Sequence, residues 1–260
     1  MKILCLGDVV SQAGITALEK VLPRLKREYH PDHIVINGEN SAPGNGIDRK
    51  SAELLFALGA DALTGGNHSF QKKDAGEFHE EMPFLLRPAN WQGNPFGRGE
   101  CRIETPRYDL RIISLQGNLY MSKCDNPFLK LEELLQSGSP RDITVVDFHA
   151  EATAEKQAMA RYFDGKIALL WGTHTHVQTN DAQIFPQGTG YLTDLGMCGS
   201  QESILGKGIE PCVHNFIDPE NRMKITDGEA PYIVNGLLAE IDEKTKKCTK
   251  MQLINLREIN

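Results

Sequence analysis

The sequence lacks the features that mark several large classes of proteins. Its net charge is −7 and it has no basic patch or stripe, which argues against a surface for the phosphate backbone of nucleic acids. Its six cysteines are scattered, with no CxxC pair and no compact framework, which indicates reduced thiols. No apolar stretch approaches the roughly 20 residues of a membrane span, and the first apolar run is too short for a signal sequence. We therefore expect a cytoplasmic protein that neither binds nucleic acid stably nor enters a membrane.

The sequence also lacks internal repeats, low-complexity tracts and a convincing linker. It has 260 residues, of which 40% are hydrophobic and 24% are charged. Such a chain is long enough to bury one sizeable core or two small ones. Without a visible boundary, we predict a single domain over residues 1–260.

Short apolar runs alternate with helical patterns through most of the chain. Six runs have the character of β-strands: KILCLGD, HIVINGEN, DALTGGNH, LRIISLQG, DITVVDFHAE and KIALLWGTHTH. A helical pattern follows the first run, and Pro23 within it predicts a kink or an early stop. After residue 180 the pattern is typical of antiparallel strands or hairpins. The order of elements predicts an α/β fold with either one mixed sheet or two stacked sheets with outer helices.

Polar side chains of the metal-ligand type occur where the β-like runs end. In α/β folds, ligands bind outside the carboxyl ends of strands, so residues distant in sequence can converge there. One aspartate, one glutamate, two asparagines and four histidines have such positions: Asp8, Glu39, Asn40, Asn67, His68, His149, His174 and His176. Imidazole suits iron or zinc, and carboxylate suits manganese or magnesium. The set therefore predicts a site for divalent metal ions.

Each of these residues also has a purely structural interpretation. Asp is a common helix cap, Asn and Gly dominate turns, and a single histidine is more often a hydrogen-bonded structural residue than a ligand. A His-x-His pair alone is a weak signal. The combination favours the metal site, because caps and turns do not require histidine, yet three segments supply four of the eight histidines. We expect the other four to be structural or on the surface: His30, His33, His79 and His214.

The ordered motifs GDVV, NGEN, GGNH, DFHAE and GTHTH resemble those of the calcineurin-like metallophosphoesterases, specifically the YmdB-like branch of 2′,3′-cyclic-nucleotide phosphodiesterases. The resemblance covers nearly the whole chain. Two replacements that set this branch apart from the wider superfamily are present: Val10 in place of a histidine, and Glu39 with Asn40 in place of a bridging aspartate. Phe70 and Gln71 stand where relatives often carry Trp and Asp, at the expected rim of the substrate pocket. The resemblance implies a sandwich of two mixed β-sheets flanked by α-helices.

The resemblance also implies two metal ions per chain and a role for each site residue. The first ion would have three ligands: Asp8, Asn40 and His176. The second ion would have three others: Asn67, His149 and His174. Glu39 would bridge the two ions. His68 would not be a ligand but the catalytic histidine near the phosphoryl group.

The implied reaction is hydrolysis of a small phosphodiester by a hydroxide that bridges the two metal ions, with His68 assisting the leaving group. The favoured substrates are 2′,3′-cyclic nucleotides, with 3′,5′-cyclic nucleotides or generic phosphodiesters as secondary ones. Oxygen and nitrogen ligands without a thiolate favour iron or manganese, with magnesium or zinc as alternatives. The family also implies a homo-oligomer. Two other functions stay open: a phosphomonoesterase, such as a nucleotidase or phosphoprotein phosphatase, and a regulatory metal-binding module that acts through a partner.

Residues next to the predicted ligands are candidates for orienting them through hydrogen bonds. There are four by adjacency in sequence: Asp147, Glu151, Thr173 and Thr175. Arg87 has two alternative predicted roles, as a contact for substrate phosphate through its planar guanidinium or as a member of a surface ion pair.

Overall fold

The computed structural model describes residues 1–93, 95–122 and 124–260. Its helices in chain order are α1 Ser11–Tyr29, α2 Arg49–Ala57, α3 Ala75–Glu81, α4 Pro127–Gln136, α5 Thr153–Tyr162 and α6 Ile209–Ile217. Its strands in chain order are β1 Lys2–Leu6, β2 Asp8–Val9, β3 His33–Asn37, β4 Ala62–Thr64, β5 Glu100–Glu104, β6 Asp109–Gln116, β7 Asp142–His149, β8 Leu169–Thr173, β9 Gln183–Ile184, β10 Gly190–Leu192, β11 Met197–Ser200, β12 Tyr232–Ile241 and β13 Cys248–Ile259.

The strands form two mixed sheets. Among the described residues, seven strands form the first sheet, in the order β2-β11-β12-β1-β3-β4 with β13 paired to β12. In this sheet β1, β3 and β4 are parallel, and β12 is antiparallel to its neighbours. Within the same described ranges, six strands form the second sheet, in the order β5-β6-β7-β8-β10-β9. Its four inner strands are parallel and its edge strands are antiparallel.

The two sheets pack face to face, with helices outside each of them. Alternate residues of a strand point to opposite faces, so β1 places Ile3 and Cys5 in the core between the sheets and Leu4 and Leu6 against the helices. Helices α1, α2 and α3 cover the outer face of the first sheet, and α4 and α5 cover that of the second. The prediction of two mixed β-sheets flanked by α-helices is confirmed. No helix in the described part of the chain is long and apolar enough to cross a membrane.

The first helix differs from its prediction. α1 continues through Pro23 to Tyr29, so the early stop predicted at Pro23 is wrong. Pro23 lies on the exposed side of α1, where water can bind the carbonyl group that loses its helical partner. Leu22 and Leu25 continue the buried stripe on either side of it, and their packing keeps the helix intact.

Candidate metal centre

The eight predicted site residues come together at the carboxyl ends of strands from both sheets. The first sheet supplies five of them: Asp8, Glu39, Asn40, Asn67 and His68. The second sheet supplies three, at the end of β7 and after β8: His149, His174 and His176. The two sets meet directly, because the backbone N–H of His174 donates to Asp8 Oδ2 at 3.0 Å and His149 Nε2 lies 3.0 Å from Glu39 Oε1.

One group of ligand atoms surrounds Nε2 of His149. Glu39 Oε1 and Asn67 Oδ1 each lie 3.0 Å from this nitrogen, and His174 Nδ1 lies 3.1 Å from it. Glu39, His149 and His174 offer ligand atoms that all lie within 4.8 Å of one another, a spacing that can hold a metal ion. This group has the carboxylate, amide and imidazole atoms that suit a divalent transition metal.

A second group lies beside the first. His176 Nε2 is 3.9 Å from Asp8 Oδ1 and 3.4 Å from Asn40 Nδ2. The Asn40 amide also donates to Glu39 Oε1 at 3.1 Å, so Glu39 lies between the two groups. A flip of the Asn40 amide would present its oxygen instead of its nitrogen to a cation. The two groups have the same members as the two ligand sets that the family resemblance implies.

Two further features fit a bound cation. Asp8 is fully buried, and its Oδ1 has no hydrogen-bond partner among the described residues. A buried carboxylate oxygen without a partner is costly unless a cation neutralises it. Gly66 leaves space beside the ligand atoms, because a Cβ there would lie 2.3 Å from Glu39 Oε2 and 2.4 Å from His149 Nε2. The residues therefore fit the divalent ions predicted from the sequence.

Glu39 and His149 form a buried ion pair. Burial raises the pKa of Glu39, but the charge and hydrogen bond of His149 outweigh it and lower the pKa of Glu39 to about 2. Burial lowers the pKa of His149, but Glu39 and then Asp8 outweigh it and raise the pKa of His149 to about 9. The pair thus favours the protonated form of His149, and a metal ion must displace the proton on Nε2 to bind there.

Hydrogen bonds behind His149 determine which of its nitrogens faces the site. Thr173 Oγ1 donates its proton to Asp147 Oδ1 at 2.7 Å and lies 2.9 Å from His149 Nδ1, so Nδ1 is the donor of that contact. Nε2 therefore faces the ligand atoms. Asp147 is held in turn by Asn37 at 3.0 Å and Thr64 at 2.5 Å, which the sequence patterns did not single out.

The other two orienting candidates behave differently from each other. Glu151 Oε2 lies 3.2 Å from His174 Nε2 and can orient that ring, whose other nitrogen contacts His149. Thr175 makes no hydrogen bond to a ligand ring within the described ranges; its hydroxyl donates to the carbonyl oxygen of Val177 at 3.5 Å and its backbone N–H to Asp194 Oδ2 at 3.1 Å. His174 has a φ of 102° and His176 a φ of 64°, values that non-glycine residues rarely adopt and that concentrate at functional sites.

The ligand groups lie at the base of an open cleft of about 1060 Å³, whose lining includes Glu39, Asn40, His174 and His176 but not Asp8, Asn67 and His149. His68 also lines this cleft, and its backbone N–H donates to Glu39 Oε2 at 3.0 Å. Other polar and apolar residues complete the lining, among them Asn45, Gln71, Lys72, Leu205, Lys207, Cys212, Lys224 and Ile225. Gln71 thus lies at the cleft, as expected for a rim residue.

Phe70 and Arg87 lie elsewhere. The Phe70 ring packs against Trp91 and His79, with ring centroids 5.1 Å and 5.0 Å away. Within the described ranges Arg87 forms no ion pair and does not line the cleft; its guanidinium donates to the carbonyl oxygens of Pro88 at 2.9 Å and Gly97 at 3.4 Å. The surface ion pair is therefore wrong, and a contact with substrate phosphate stays a prediction. These loop carbonyl groups need donors, and the guanidinium of Arg87 supplies two of them.

The remaining histidines have structural surroundings, as expected. His33 Nε2 lies 2.9 Å from the Tyr108 hydroxyl, and His79 Nδ1 lies 2.8 Å from the carbonyl oxygen of Ala75. His30 ends α1 in a left-handed conformation. His214 Nε2 contacts the backbone carbonyl oxygen of Asn221.

Known proteins are similar to this chain in sequence and in fold. The model of a family described as YmdB-like protein matches residues 4–254. The chain is 39% identical to the 2′,3′-cyclic-nucleotide 2′-phosphodiesterase of Bacillus subtilis, over 99% of this chain and 98% of that protein. The crystal structure of a novel phosphatase from Mycoplasma pneumoniae is 35% identical, with a TM-score of 0.93 over 100% of this chain and 94% of that chain.

A more distant structure shares the fold alone. The NAD nucleotidase of Haemophilus influenzae is 14% identical and has a TM-score of 0.58, over 99% of this chain and 56% of that chain. The calcineurin-like metallophosphoesterase sandwich predicted from the sequence motifs is confirmed by the match to the family and by these folds.

Proposed function

The chain belongs to the YmdB-like protein family, and on that premise we propose that it is a metal-dependent phosphodiesterase that hydrolyses cyclic nucleotides. A 2′,3′-cyclic nucleotide is the favoured substrate, in line with the name of the Bacillus subtilis relative. 3′,5′-cyclic nucleotides and generic phosphodiesters are secondary substrates. The observation that carries the proposal is that ligand-type side chains from both sheets contact one another at the cleft. Side chains that served only as helix caps or turn residues would not need to contact one another in this way.

Two divalent ions would occupy the two ligand groups, with iron or manganese favoured and magnesium or zinc as alternatives. One ion would be held by Asp8, Asn40 and His176, the other by Asn67, His149 and His174, with Glu39 between them. When bound, the ions supply the positive charge that holds the phosphoryl group, and they lower the pKa of a water molecule enough for it to attack phosphorus. The buried carboxylates of Asp8 and Glu39 provide the negative charge that retains the ions.

His68 would move the proton that the leaving group needs. Hydrolysis adds the elements of water across one P–O ester bond. The ribose oxygen would leave as an alkoxide, which is a poor leaving group unless it receives a proton. The backbone N–H of His68 bonds Glu39 and its side chain lines the cleft, so the ring can reach a substrate held by the ions. An imidazole that donates this proton as the bond breaks acts as a general acid.

Metal analysis of anaerobically purified protein, paired with a phosphodiesterase assay on the same sample, tests the proposal. We expect about two metal ions per chain, and cleavage of 2′,3′-cyclic AMP that a chelator abolishes and added Fe²⁺ or Mn²⁺ restores. Asp8→Asn keeps the shape of the side chain but removes its charge, so it should lose metal and activity together. A protein that takes up no metal under any loading condition would overturn the proposal.

A phosphomonoesterase is the second candidate, because the Mycoplasma pneumoniae relative is described as a phosphatase. Both reactions use the same two-metal chemistry. Rates on 2′,3′-cyclic AMP and on the corresponding 2′- and 3′-monophosphates separate them, and a higher kcat/KM for a monophosphate would favour the phosphatase.

A cytoplasmic location and a single domain over residues 1–260 are part of the proposal. The six cysteines all lie in the described ranges and are all free thiols, which agrees with a reducing compartment. The partner is a small phosphodiester rather than a nucleic acid or a membrane.

A further inference from the structure

A buried ion pair between Lys156 and Asp194 lies directly behind the turn that carries His174 and His176. We propose that this pair is a positioning device that holds the turn in its left-handed conformation, so that both histidines face their ligand groups before a metal ion binds. The inference rests on the proposed function, because that function assigns the two histidines as ligands. Neither Lys156 nor Asp194 lines the cleft within the described residues, so the pair acts through the turn.

The contacts of the pair restrain the backbone on both sides of His174. Lys156 Nζ donates to the carbonyl oxygen of Thr173 at 2.9 Å and to Asp194 Oδ2 at 2.8 Å. Asp194 Oδ2 also accepts the backbone N–H of Thr175 at 3.1 Å. The peptide before His174 and the peptide after it are therefore both held. Their relative orientation is what φ and ψ of His174 describe, and its φ is 102°.

Hydrogen bonds also connect the ion pair to Asp8, a predicted metal ligand on the first sheet. Asp194 Oδ1 accepts the backbone N–H of Gly196 at 2.9 Å, and the carbonyl oxygen of Gly196 accepts the N–H of Asp8 at 3.2 Å. Asp8 Oδ2 in turn accepts the N–H of His174 at 3.0 Å. The ion pair is thus part of a closed set of hydrogen bonds that fixes Asp8 relative to His174.

The fold makes room for the lysine stem at Gly172. A Cβ on Gly172 would lie 1.9 Å from the carbonyl oxygen of Thr193 and less than 3 Å from Lys156 Cδ and Cε, at 2.8 Å and 2.9 Å. Both Lys156 and Asp194 are fully buried. A buried ion pair is weak evidence for stability, since the loss of hydration offsets the attraction and apolar replacements are often neutral. Its contacts with the turn therefore account better for this pair than stability does.

Mn²⁺ binding to the folded protein tests the inference, in wild type, Lys156→Met and Asp194→Asn. Methionine keeps the apolar stem without the charge, and asparagine keeps the shape of Asp194, so at least one variant should fold. We expect Mn²⁺ to bind about 10- to 100-fold more weakly to each variant, the usual effect of losing a group that orients metal ligands.

Arg111→Met is the matched control. Arg111 is also a fully buried cation, paired with Glu100 and Asp142, but it lies near the amino end of β6, away from the carboxyl ends that carry the ligands. It should lose stability without losing Mn²⁺ affinity. If Lys156→Met and Asp194→Asn bind Mn²⁺ as tightly as Arg111→Met, the inference is overturned.

Amide hydrogen exchange of the metal-free proteins gives a readout that does not depend on metal. The amides of Thr175 and Gly196 should exchange faster in Lys156→Met and Asp194→Asn than in wild type and Arg111→Met. Equal exchange at these amides would also overturn the inference. If wild type binds no Mn²⁺ or other divalent ion, the proposed function fails, and the exchange comparison still decides whether the pair holds the turn.

Discussion

His68 differs from the other site residues in how its ring is held. Its backbone N–H bonds Glu39, but no hydrogen bond to its ring is found among the described residues, whereas the rings of His149, His174 and His176 all contact ligand-type atoms. We predict that His68→Ala keeps its metal ions and lowers kcat by about 10²- to 10⁴-fold, because only the proton donor is lost. Metal analysis and steady-state kinetics on 2′,3′-cyclic AMP measure the two effects.

His30→Asn is a suitable control for this variant, because His30 is exposed, lies outside the cleft lining and has a left-handed conformation that asparagine tolerates. It should leave kcat unchanged. Loss of metal from His68→Ala would contradict the division between ligands and proton donor. A cellular phenotype that His68→Ala fails to alter, despite its lower kcat, would favour the regulatory module over the enzyme.

Gly66 is expected to be essential because a side chain at this position would collide with the ligand side chains, and not because the backbone there requires glycine. A Cβ there would overlap Glu39 Oε2 and His149 Nε2, and both of these side chains are fixed by other contacts. We predict that Gly66→Ala loses metal binding with only a modest loss of stability. Gly38→Ala is the control, because its Cβ would meet the flexible ends of Ile47 and Leu55 at 3.2 Å and 3.3 Å. Metal content and thermal unfolding of both variants would test this, and full metal content in Gly66→Ala would contradict it.

The sequence revealed the histidines of the site but not the buried ion pair behind them. Histidines at the ends of β-like runs stand out, because turns and caps do not need them. Lys156 did not stand out, since a lysine beside the apolar face of a helix usually extends its charge into water. Asp194, in the stretch TDLG, has the ordinary composition of a turn. Only the folded chain shows that the two meet at 2.8 Å behind the histidines.

Among the elements, α4, β2 and β11 were not predicted from the sequence, for different reasons. α4 begins with the N-cap Asn126 followed by Pro127, a standard helix start that the apolar pattern alone did not reveal. β2 and β11 span two and four residues, too few for a periodic signal. β2 pairs with β11, and β11 pairs with β12; such tertiary pairing is invisible in local sequence.

Helix α3 contains a histidine that should make stability depend on pH. His79 Nδ1 contacts the Ala75 carbonyl oxygen, and its buried Nε2 has no partner among the described residues. Burial, aided by the charge of Arg87, lowers the pKa of His79 to about 4. Between about pH 6.5 and pH 4, the unfolded chain gains a proton at this residue that the folded chain does not. Stability should therefore fall by up to about 3 kcal/mol over this range.

Urea unfolding of wild type and His79→Gln at several pH values between 8 and 4 isolates this effect. Glutamine can still donate to Ala75 but does not titrate. The free energy of unfolding of His79→Gln should fall less steeply below about pH 6.5, whereas above that pH the His79 contribution is constant. Parallel curves for the two proteins would show that His79 is not responsible.

At the scale of the whole molecule, the site depends on pairings between distant parts of the chain. β12, near the carboxyl end of the sequence, lies between β1 and β11 in the first sheet. The sequence indicated antiparallel strands after residue 180, but it did not show that they complete the sheet that carries Asp8. Strand order is a long-range property, so the family motifs predicted the sandwich better than local patterns did.

Self-association through α6 is the last prediction. Its apolar side chains are unusually exposed, with Ile209 at 50%, Val213 at 43%, Phe216 at 85% and Ile217 at 79%. Apolar side chains that are exposed together on one helix face are a common mark of a protein–protein interface. A twofold axis would place this face against the same face of a second copy and cover it, so we predict a homo-oligomer. Light scattering after gel filtration should show that Phe216→Asp shifts the protein towards the monomer, while Tyr120→Asp, at an aromatic residue 83% exposed elsewhere, does not. A wild-type protein that is monomeric at every concentration tested would contradict the prediction.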